Sequence, residues 1–265
     1  MATLTGLAKR HPLIGFFALA YLLSWWPWLW YRLDPGTIDG PILPLGPLIA
    51  AAIMLALAGG WPAVGAWLGR ITAWRSGFLW YALVLLLPAA ITAVALGVNL
   101  FLGAELPPDA ELPGWGELGI RFLIIFVLVG LGEEPAWRGY ALPRLIDGRT
   151  ALAGALVLGL LHALWHLPLI GVEYDLTNLW PWLASILAVS VVIAWMWLAT
   201  GGNLLLPALF HATVNTVAFP FGWFAGGDQL RLWWIWAGLW VAAAALVVTA
   251  NGAALYQPKP RRMVG

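Results

Sequence analysis

The 265-residue sequence contains no cysteine, and only 9% of its residues are charged. The absence of cysteine excludes disulfides, thiol nucleophiles and cysteine metal ligands. A soluble domain carries about 25% charged residues, so this shortage of charge, together with 62% hydrophobic residues, indicates a membrane protein. The net charge of +1 gives no electrostatic basis for a nucleic-acid partner, and we predict none.

Two protease signatures are missing as well. The sequence has no HExxH, the motif of zinc proteases, which include several that act in membranes. No serine lies in a GxSx setting, which argues against a rhomboid-type serine nucleophile; the serines are Ser24, Ser76, Ser185 and Ser190. Any hydrolytic chemistry must therefore come from other residue types.

Apolar segments of membrane-spanning length dominate the chain. A spanning helix needs about 20 apolar residues, and eight such stretches occur at about 12–32, 40–60, 77–102, 116–135, 150–171, 180–200, 203–222 and 231–252. We predict an all-α polytopic membrane bundle of about eight transmembrane helices. It forms a single domain over residues 1–256, followed by a short basic tail at 257–265. The segments 61–76 and 137–149 are predicted to be short cytoplasmic amphipathic pieces.

The distribution of charge predicts the orientation of the bundle. With the N-terminus in the cytoplasm, ten of the thirteen basic residues lie inside or at that border, as the positive-inside rule requires. Eight helices then place both termini in the cytoplasm, with Asp34, Asp39, Glu105 and Asp109 among the residues outside. The twenty tryptophans are expected to form an interfacial aromatic belt. The Ala-, Gly- and Arg-rich, Lys-poor composition indicates a prokaryotic gene, and hence an inner or plasma membrane location.

Ionisable residues inside predicted spans are the strongest functional signal, because they are costly in a bilayer and usually face a cavity or each other. Residues four apart share one face of a helix. This spacing joins Glu134 with Arg138, His162 with His166, and His211 with Asn215. Each of three predicted helices therefore carries a polar pair, and pointing the pairs at one another is the least costly arrangement. Taken one at a time, ion clusters, packing histidines and interhelical hydrogen bonds would also account for them.

The types of side chain in these pairs suit hydrolysis. A carboxylate beside a second carboxylate in a dry site can serve as a base, and Arg138 can hold one of the two ionised. Histidine transfers protons near neutral pH, and Asn215 could donate to a developing oxyanion. Since Glu133 is predicted near the cytoplasmic end of the fourth helix, we expect the site to open toward the cytoplasm.

The motifs resemble those of the CPBP (Abi) family of intramembrane proteases, which includes the type II CAAX prenyl endopeptidases. That family carries EExxxR, FxxxH and HxxxN/D in this order on successive helices. The corresponding residues here are Glu133, Glu134 and Arg138, then His166, then His211 and Asn215, within a catalytic core of about 116–220. One departure is His162, which stands where the family usually has Phe.

The resemblance implies a role for each of these residues. Glu133 would activate water with His166, Glu134 and Arg138 would orient the site, and His211 and Asn215 would stabilise the oxyanion. This reading needs no cofactor. Zinc prefers about three protein ligands at a catalytic site, and His166, His211 and Glu133 would be those ligands if a metal is used.

The leading hypothesis is an intramembrane endopeptidase with membrane lipid and a peptide or lipidated protein as its partners. Two alternatives stay open at this stage. A non-catalytic membrane partner or bacteriocin self-immunity protein of the same family is the first, because fold does not fix function. The second is a proton-coupled transporter, since intramembrane Glu and His also form proton relays. The sequence does not predict the oligomeric state.

Overall fold

The structure, a computed structural model, describes residues 4–34, 36, 44–108 and 110–256. The regular elements of these residues are helical, apart from one isolated bridge between Ile170 and Tyr174. The α-helices are α1 Leu4–Arg10, α2 Pro12–Leu33, α3 Gly46–Leu68, α4 Gly77–Phe101, α5 Trp115–Ile125, α6 Leu131–Ala136, α7 Leu142–Leu145, α8 Ala151–Trp165, α9 Leu179–Ala199, α10 Leu205–Thr216 and α11 Gly226–Asn251.

Seven helical segments of the described residues are long and apolar enough to cross a membrane, which confirms the all-α membrane bundle. The fifth predicted span is shorter than expected, because α8 has 15 residues. At 1.5 Å per residue it is about 22 Å long, against about 30 Å for the hydrocarbon core. The predicted tail 257–265, Asp39 and Asp109 lie outside the described residues.

One composite helix runs without a break from Trp115 to Leu145, through α5, α6 and α7. Two π-helical turns, Phe126–Gly130 and Trp137–Ala141, join these three parts. The predicted end at residue 135 and the separate segment 137–149 were therefore wrong. Pro135 removes one backbone donor, but the wider π turns on either side let the helix continue past it.

The predicted boundary after residue 60 matches a break within α3, because Gly60 has a non-helical backbone conformation and kinks the helix there. Beyond the kink, residues 61–68 form a short helix that buries one face, at Val64 and Trp67, and exposes Trp61, which agrees with the predicted amphipathic character. Residues 69–76 are not helical. Gly60 has a φ of +71°, a conformation that glycine adopts at little cost, and proline favours the first turn of the helix that follows.

The end of α8 is held by side chains of α2. Tyr21 Oη donates to the carbonyl of Leu161 at 2.6 Å, and Trp25 Nε1 donates to that of Trp165 at 2.8 Å. Arg32 Nη1 then donates to the carbonyl of Ile170, 2.7 Å away in the loop that follows. Helix ends leave carbonyls without intrahelical partners, and these donors satisfy them within the bundle.

The predicted aromatic belt was wrong for many of the tryptophans. Eight of them are buried inside the protein: Trp28, Trp67, Trp137, Trp165, Trp182, Trp197, Trp236 and Trp240. Others, such as Trp26, Trp61 and Trp234, are exposed as expected of belt residues. Clustering of tryptophans near helix ends does not distinguish the buried tryptophans from the exposed ones, because residues that are close in sequence on one helix point to different faces.

The close contact between the composite helix and α10 depends on Gly130. A Cβ built on Gly130 would lie 2.6 Å from the carbonyl oxygen of Ala208 on α10. Backbones approach this closely only where one residue has no side chain. Gly130 therefore sets the distance between the composite helix and α10. The composite helix carries the two glutamates of the site, and α10 carries His211 and Asn215.

We expect Gly130→Ala to destabilise the protein by about 1–3 kcal/mol, as overpacking in a close-packed interior does. Unfolding of the purified protein in detergent micelles would measure this loss. Gly119→Ala is the matched control, because a Cβ there meets no atom within 4 Å and lies on the same composite helix. Equal stability of the two variants would contradict the assigned contact.

Candidate active site

A cavity of about 540 Å³ lies between the composite helix, α8, α9, α10 and α11. All seven polar residues of the three sequence motifs line it: Glu133, Glu134, Arg138, His162, His166, His211 and Asn215. Glu133 and Glu134 lie on α6, between the two π turns, and Arg138 lies in the second of these turns. His162 is in the last turn of α8, His166 caps its C-terminus, and His211 and Asn215 lie on α10.

Glu134 is the centre of a buried ion cluster. Its Oε1 accepts hydrogen bonds from Arg138 Nη1 and from His211 Nδ1, both at 2.8 Å. The Glu134 side chain is completely buried and that of Arg138 is 2% exposed. Arg138 Nη2 also donates to Ser190 Oγ on α9 at 3.4 Å. The cluster therefore links three segments of the bundle through polar groups that are almost completely buried in the protein.

Glu133 is bound differently from its neighbour. Its Oε2 accepts hydrogen bonds from His162 Nε2 at 2.9 Å and from Trp137 Nε1 at 3.2 Å. Its Oε1 has no hydrogen-bond partner among the described residues, and Glu133 lines the cavity. One oxygen is thus fixed by two donors, while the other is available to a molecule in the cavity.

The hydrogen bonds also fix the protonation of the three histidine rings. His166 Nδ1 lies 2.9 Å from the carbonyl oxygen of His162, and a carbonyl only accepts, so Nδ1 carries a proton. An ionised carboxylate also only accepts, so with Glu134 and Glu133 ionised a proton lies on His211 Nδ1 and on His162 Nε2, the ring nitrogens that face them. In a neutral His166, the Nε2 atom then has a free lone pair.

Aromatic rings enclose His166. The ring centroids of Trp165, Tyr174 and Trp182 lie 4.8, 5.4 and 5.6 Å from that of His166, and each ring meets it edge to face. With Nδ1 held by a backbone carbonyl, these rings leave the imidazole a single orientation. The helix ends at His166 because Pro168 follows two residues later and cannot continue it.

Sequence reasoning missed three contributors to the site. Trp137 lies four residues after Glu133, so the spacing rule that paired Glu134 with Arg138 could have found it. Ser190 was considered only as a nucleophile, although its hydroxyl instead contacts Arg138 and the Ala155 carbonyl. Tyr174 lies in a loop, and no periodic pattern relates it to His166.

The open side of the cavity carries two exposed charged residues, Arg121 on α5 and Glu173 in the loop between α8 and α9. Arg121 has no hydrogen-bond partner among the described residues. The cavity wall partly desolvates Glu173, which raises the pKa of its carboxyl, and the nearby Glu133 raises it further. These two residues mark the mouth of the cavity.

The metal ligands suggested for this site do not form a metal-binding group. Among the described residues, no three His, Cys, Asp or Glu side chains are arranged to hold an ion. The donor set of His166, His211 and Glu133 therefore does not fit a zinc site in this geometry.

Comparisons with known proteins find similarity over the region that carries the motifs. Residues 115–217 match the sequence model of the type II CAAX prenyl endopeptidase Rce1-like family, and this region contains every motif residue. A protein from Methanococcus maripaludis named CAAX prenyl protease 2 is 31% identical over 105 residues, which is 36% of this chain. The match spans only 39% of that relative's length.

The fold and the site define an integral membrane protein with a buried carboxylate–histidine centre in a helical bundle. The matched region, residues 115–217, is similar to the type II CAAX prenyl endopeptidase Rce1-like family, and it covers less than half of the chain. The resemblance drawn from the three motifs is confirmed over this region.

We expect Arg138→Met to destabilise the protein by about 3–5 kcal/mol, because it leaves the buried Glu134 carboxylate without its main counter-charge. Chemical unfolding in micelles would measure this change. The control is Asp228→Asn, which breaks the half-buried pair of Asp228 and Arg231 and should cost less than about 1 kcal/mol. Losses of similar size in both variants would contradict a stabilising role for the buried cluster.

Proposed function

We propose that the protein is an intramembrane endopeptidase that hydrolyses a peptide bond with a water molecule activated by glutamate and histidine. The observation that carries the proposal is the asymmetry of Glu133. Its Oε2 is held by His162 and Trp137, while its Oε1 is free in a cavity that also holds His166. A general base needs this combination of fixed orientation and one open lone pair.

The chemical steps follow from these positions. Glu133 Oε1 takes a proton from water as the water oxygen bonds to the peptide carbonyl carbon. The proton is then delivered to the amide nitrogen as the C–N bond breaks, with His166 Nε2 as the neighbouring proton carrier. No metal takes part in any of these steps.

The negative charge that develops on the carbonyl oxygen needs donors. Asn215 lines the cavity, and its side-chain amide has no hydrogen-bond partner among the described residues, so its NH₂ group can donate. His211 can donate through Nε2 when both ring nitrogens carry protons, and Glu134 is the counter-charge for that form. Glu134 and Arg138 act by holding His211 in place.

The location of the cavity and the relative's name support the proposed substrate class. Most of the cavity lies within the bundle, and its aromatic lining includes Trp28, Trp165 and Trp233. Such walls suit a membrane-associated or lipidated peptide rather than a freely soluble one. We place the protein in the inner or plasma membrane of a prokaryotic cell.

Replacing Glu133 tests the proposed function. Glu133→Gln keeps the size of the side chain and one oxygen that accepts from His162 and Trp137, but it removes the base. We expect cleavage of a membrane-anchored reporter peptide to fall by about 10²–10⁴-fold. The measurement is the initial cleavage rate by purified protein in liposomes.

Glu117→Gln is the control, since Glu117 is an exposed carboxylate on the same composite helix. Its rate should match that of the wild type. The assay is repeated with a chelator, in which cleavage should persist. Full activity of Glu133→Gln would refute the proposed base. If the purified protein contains one zinc ion per chain and loses activity when that zinc is removed, the metal-free mechanism is refuted.

His162 has a specific part in this proposal. It stands where the resembled family usually has Phe, and it donates a hydrogen bond to the carboxylate proposed as the base. The ring centroids of Trp137 and His166 lie 5.1 and 4.9 Å from its own, so its orientation is fixed. His162 is therefore a positioning residue that directs Glu133 Oε1 into the cavity.

Two substitutions separate positioning from packing. His162→Phe keeps the ring but loses the donor, and a hydrogen bond to a charged group contributes about 1.5–3 kcal/mol. We expect kcat to fall by about 10- to 100-fold with KM nearly unchanged, since the loss acts on the base. Liposome kinetics over a range of substrate concentrations would measure both constants.

His162→Gln is the matched variant, because its amide N–H can replace Nε2–H. His162→Gln should restore kcat to within about threefold of the wild-type value. If His162 acted only by packing, or as a base itself, glutamine would not restore kcat. Unchanged kcat in His162→Phe would show that packing alone suffices. An equal loss in both variants would also exclude positioning.

A further inference from the structure

A second pocket lies at one end of the bundle and shares no lining residue with the candidate active site. We call it the basic pocket, and residues 70, 72–76 and 200–203 line it. It occupies about 300 Å³, whereas one water molecule takes up about 30 Å³ in the liquid. The lining loops join α3 to α4 and α9 to α10, and all four helices are candidate membrane spans. The pocket therefore lies near the level of the lipid headgroups.

The charge of the basic pocket is entirely positive. Its lining includes Arg70 and Arg75 but no aspartate or glutamate. Neither arginine forms an ion pair with an acidic residue that the structure describes. Arg70 is half-buried, and this desolvation lowers the pKa of its guanidinium. Withdrawing a cation from water is costly unless an opposite charge meets it, so the pocket favours an anion as its ligand.

Both guanidinium groups are held by contacts that leave some of their N–H groups without an acceptor. The Gly202 carbonyl accepts from Arg70 Nε at 2.9 Å and from Nη2 at 2.6 Å, while Nη1 has no hydrogen-bond partner among the described residues. A Cβ on Gly202 would lie 1.9 Å from Arg70 Nη2, so this contact requires glycine. The Arg75 guanidinium lies 5.2 Å from the Trp74 ring centroid, a cation–π distance. The Arg75 side chain makes no hydrogen bond to a described residue, so its donors are available to a ligand.

The same pocket also carries neutral donors. Ser76 Oγ accepts a hydrogen bond from Asn203 Nδ2 at 2.7 Å, and the Ser76 hydroxyl hydrogen has no acceptor among the described residues. The backbone amides of Ala73 and Arg75 have no acceptor within the described part of the chain either. Asn203 Oδ1 accepts from the Leu206 amide at 3.0 Å, which ties this loop to the first turn of α10. The donors are therefore held in place before a ligand binds.

This set of donors suits a phosphate group, because phosphate oxygens are strong acceptors and arginine binds them through its fork of N–H groups. Beside the pocket, the apolar side chains of Trp74, Phe78 and Leu79 are exposed at the start of α4, as expected of residues in contact with lipid. We propose that the basic pocket binds a phosphate group, and that an anionic phospholipid of the surrounding membrane carries it. A free phosphate ion would satisfy the same donors but would not use the apolar side chains. Basic segments beside spanning helices attract anionic lipids.

Arg75→Gln tests the proposal, because Arg75 is exposed and its replacement breaks no side-chain hydrogen bond of the described residues. The purified protein in neutral detergent is mixed with short-chain phosphatidylglycerol, and native mass spectrometry counts the lipids bound per chain. We expect one lipid to bind more tightly than all others. Arg75→Gln should weaken the binding of this first lipid by about 10-fold, since hydrogen bonds between charged groups are lost.

Arg10→Gln is the matched control. Arg10 is also exposed but does not line the pocket, so the same loss of charge should leave the affinity for the first lipid unchanged. Ala73→Glu and Ala73→Gln form a second pair of equal size, because Ala73 is exposed and lines the pocket. The glutamate should repel the phosphate and remove the first site, whereas the glutamine should retain it.

Inorganic phosphate in large excess distinguishes the two sources of the phosphate group. We expect it to leave phosphatidylglycerol bound to the wild type. Displacement of the lipid would overturn the phospholipid as the source and assign the pocket to free phosphate. Equal affinity of the wild type and Arg75→Gln for the first lipid, or equal losses in Arg75→Gln and Arg10→Gln, would overturn the site itself. None of these measurements depends on peptidase activity, so they stand apart from the proposed function.

Discussion

The buried contact of Glu134 with Arg138 and His211 is the constraint on which the rest of the site depends. A carboxylate with no exposed surface is tolerable inside a bilayer only when opposite charge and hydrogen bonds meet it. Arg138 meets it from the same helix and His211 from α10. This requirement fixes the depth of α10 relative to the composite helix and brings His211 and Asn215 to the cavity.

Two adjacent glutamates have different environments because of their helical positions. Successive side chains on a helix are about 100° apart, so Glu134 faces the ion cluster while Glu133 faces α8. There the donors are His162 and Trp137, and neither carries a fixed positive charge. A neutral pair of donors orients a carboxylate without neutralising it, which is the condition for a base in a dry cavity.

Much of the candidate site was predictable from the spacing of polar residues along the sequence. The predictions that failed did so for physical reasons. The four-residue rule found Glu134 with Arg138 and the pairs on α8 and α10, because a side-chain pair on one helix is a local property. The contact of His162 with Glu133 joins residues 29 apart and depends on how two helices pack. The helix boundary near Pro135 was wrong because compensation by π turns leaves no periodic signal. The tryptophan belt was wrong because burial depends on which helix face meets a neighbour.

The short length of α8 has a consequence for the supply of water. A helix of 15 residues cannot cover the thickness of the hydrocarbon core, so the loop after His166 lies where lipid tails would otherwise be. Lipids respond to such hydrophobic mismatch by thinning locally. Because α2 satisfies the carbonyls at this point, α8 can end here without a full-length span. Hydrolysis consumes one water molecule per turnover, and we expect local thinning of the bilayer beside this loop to shorten the path of that water to His166.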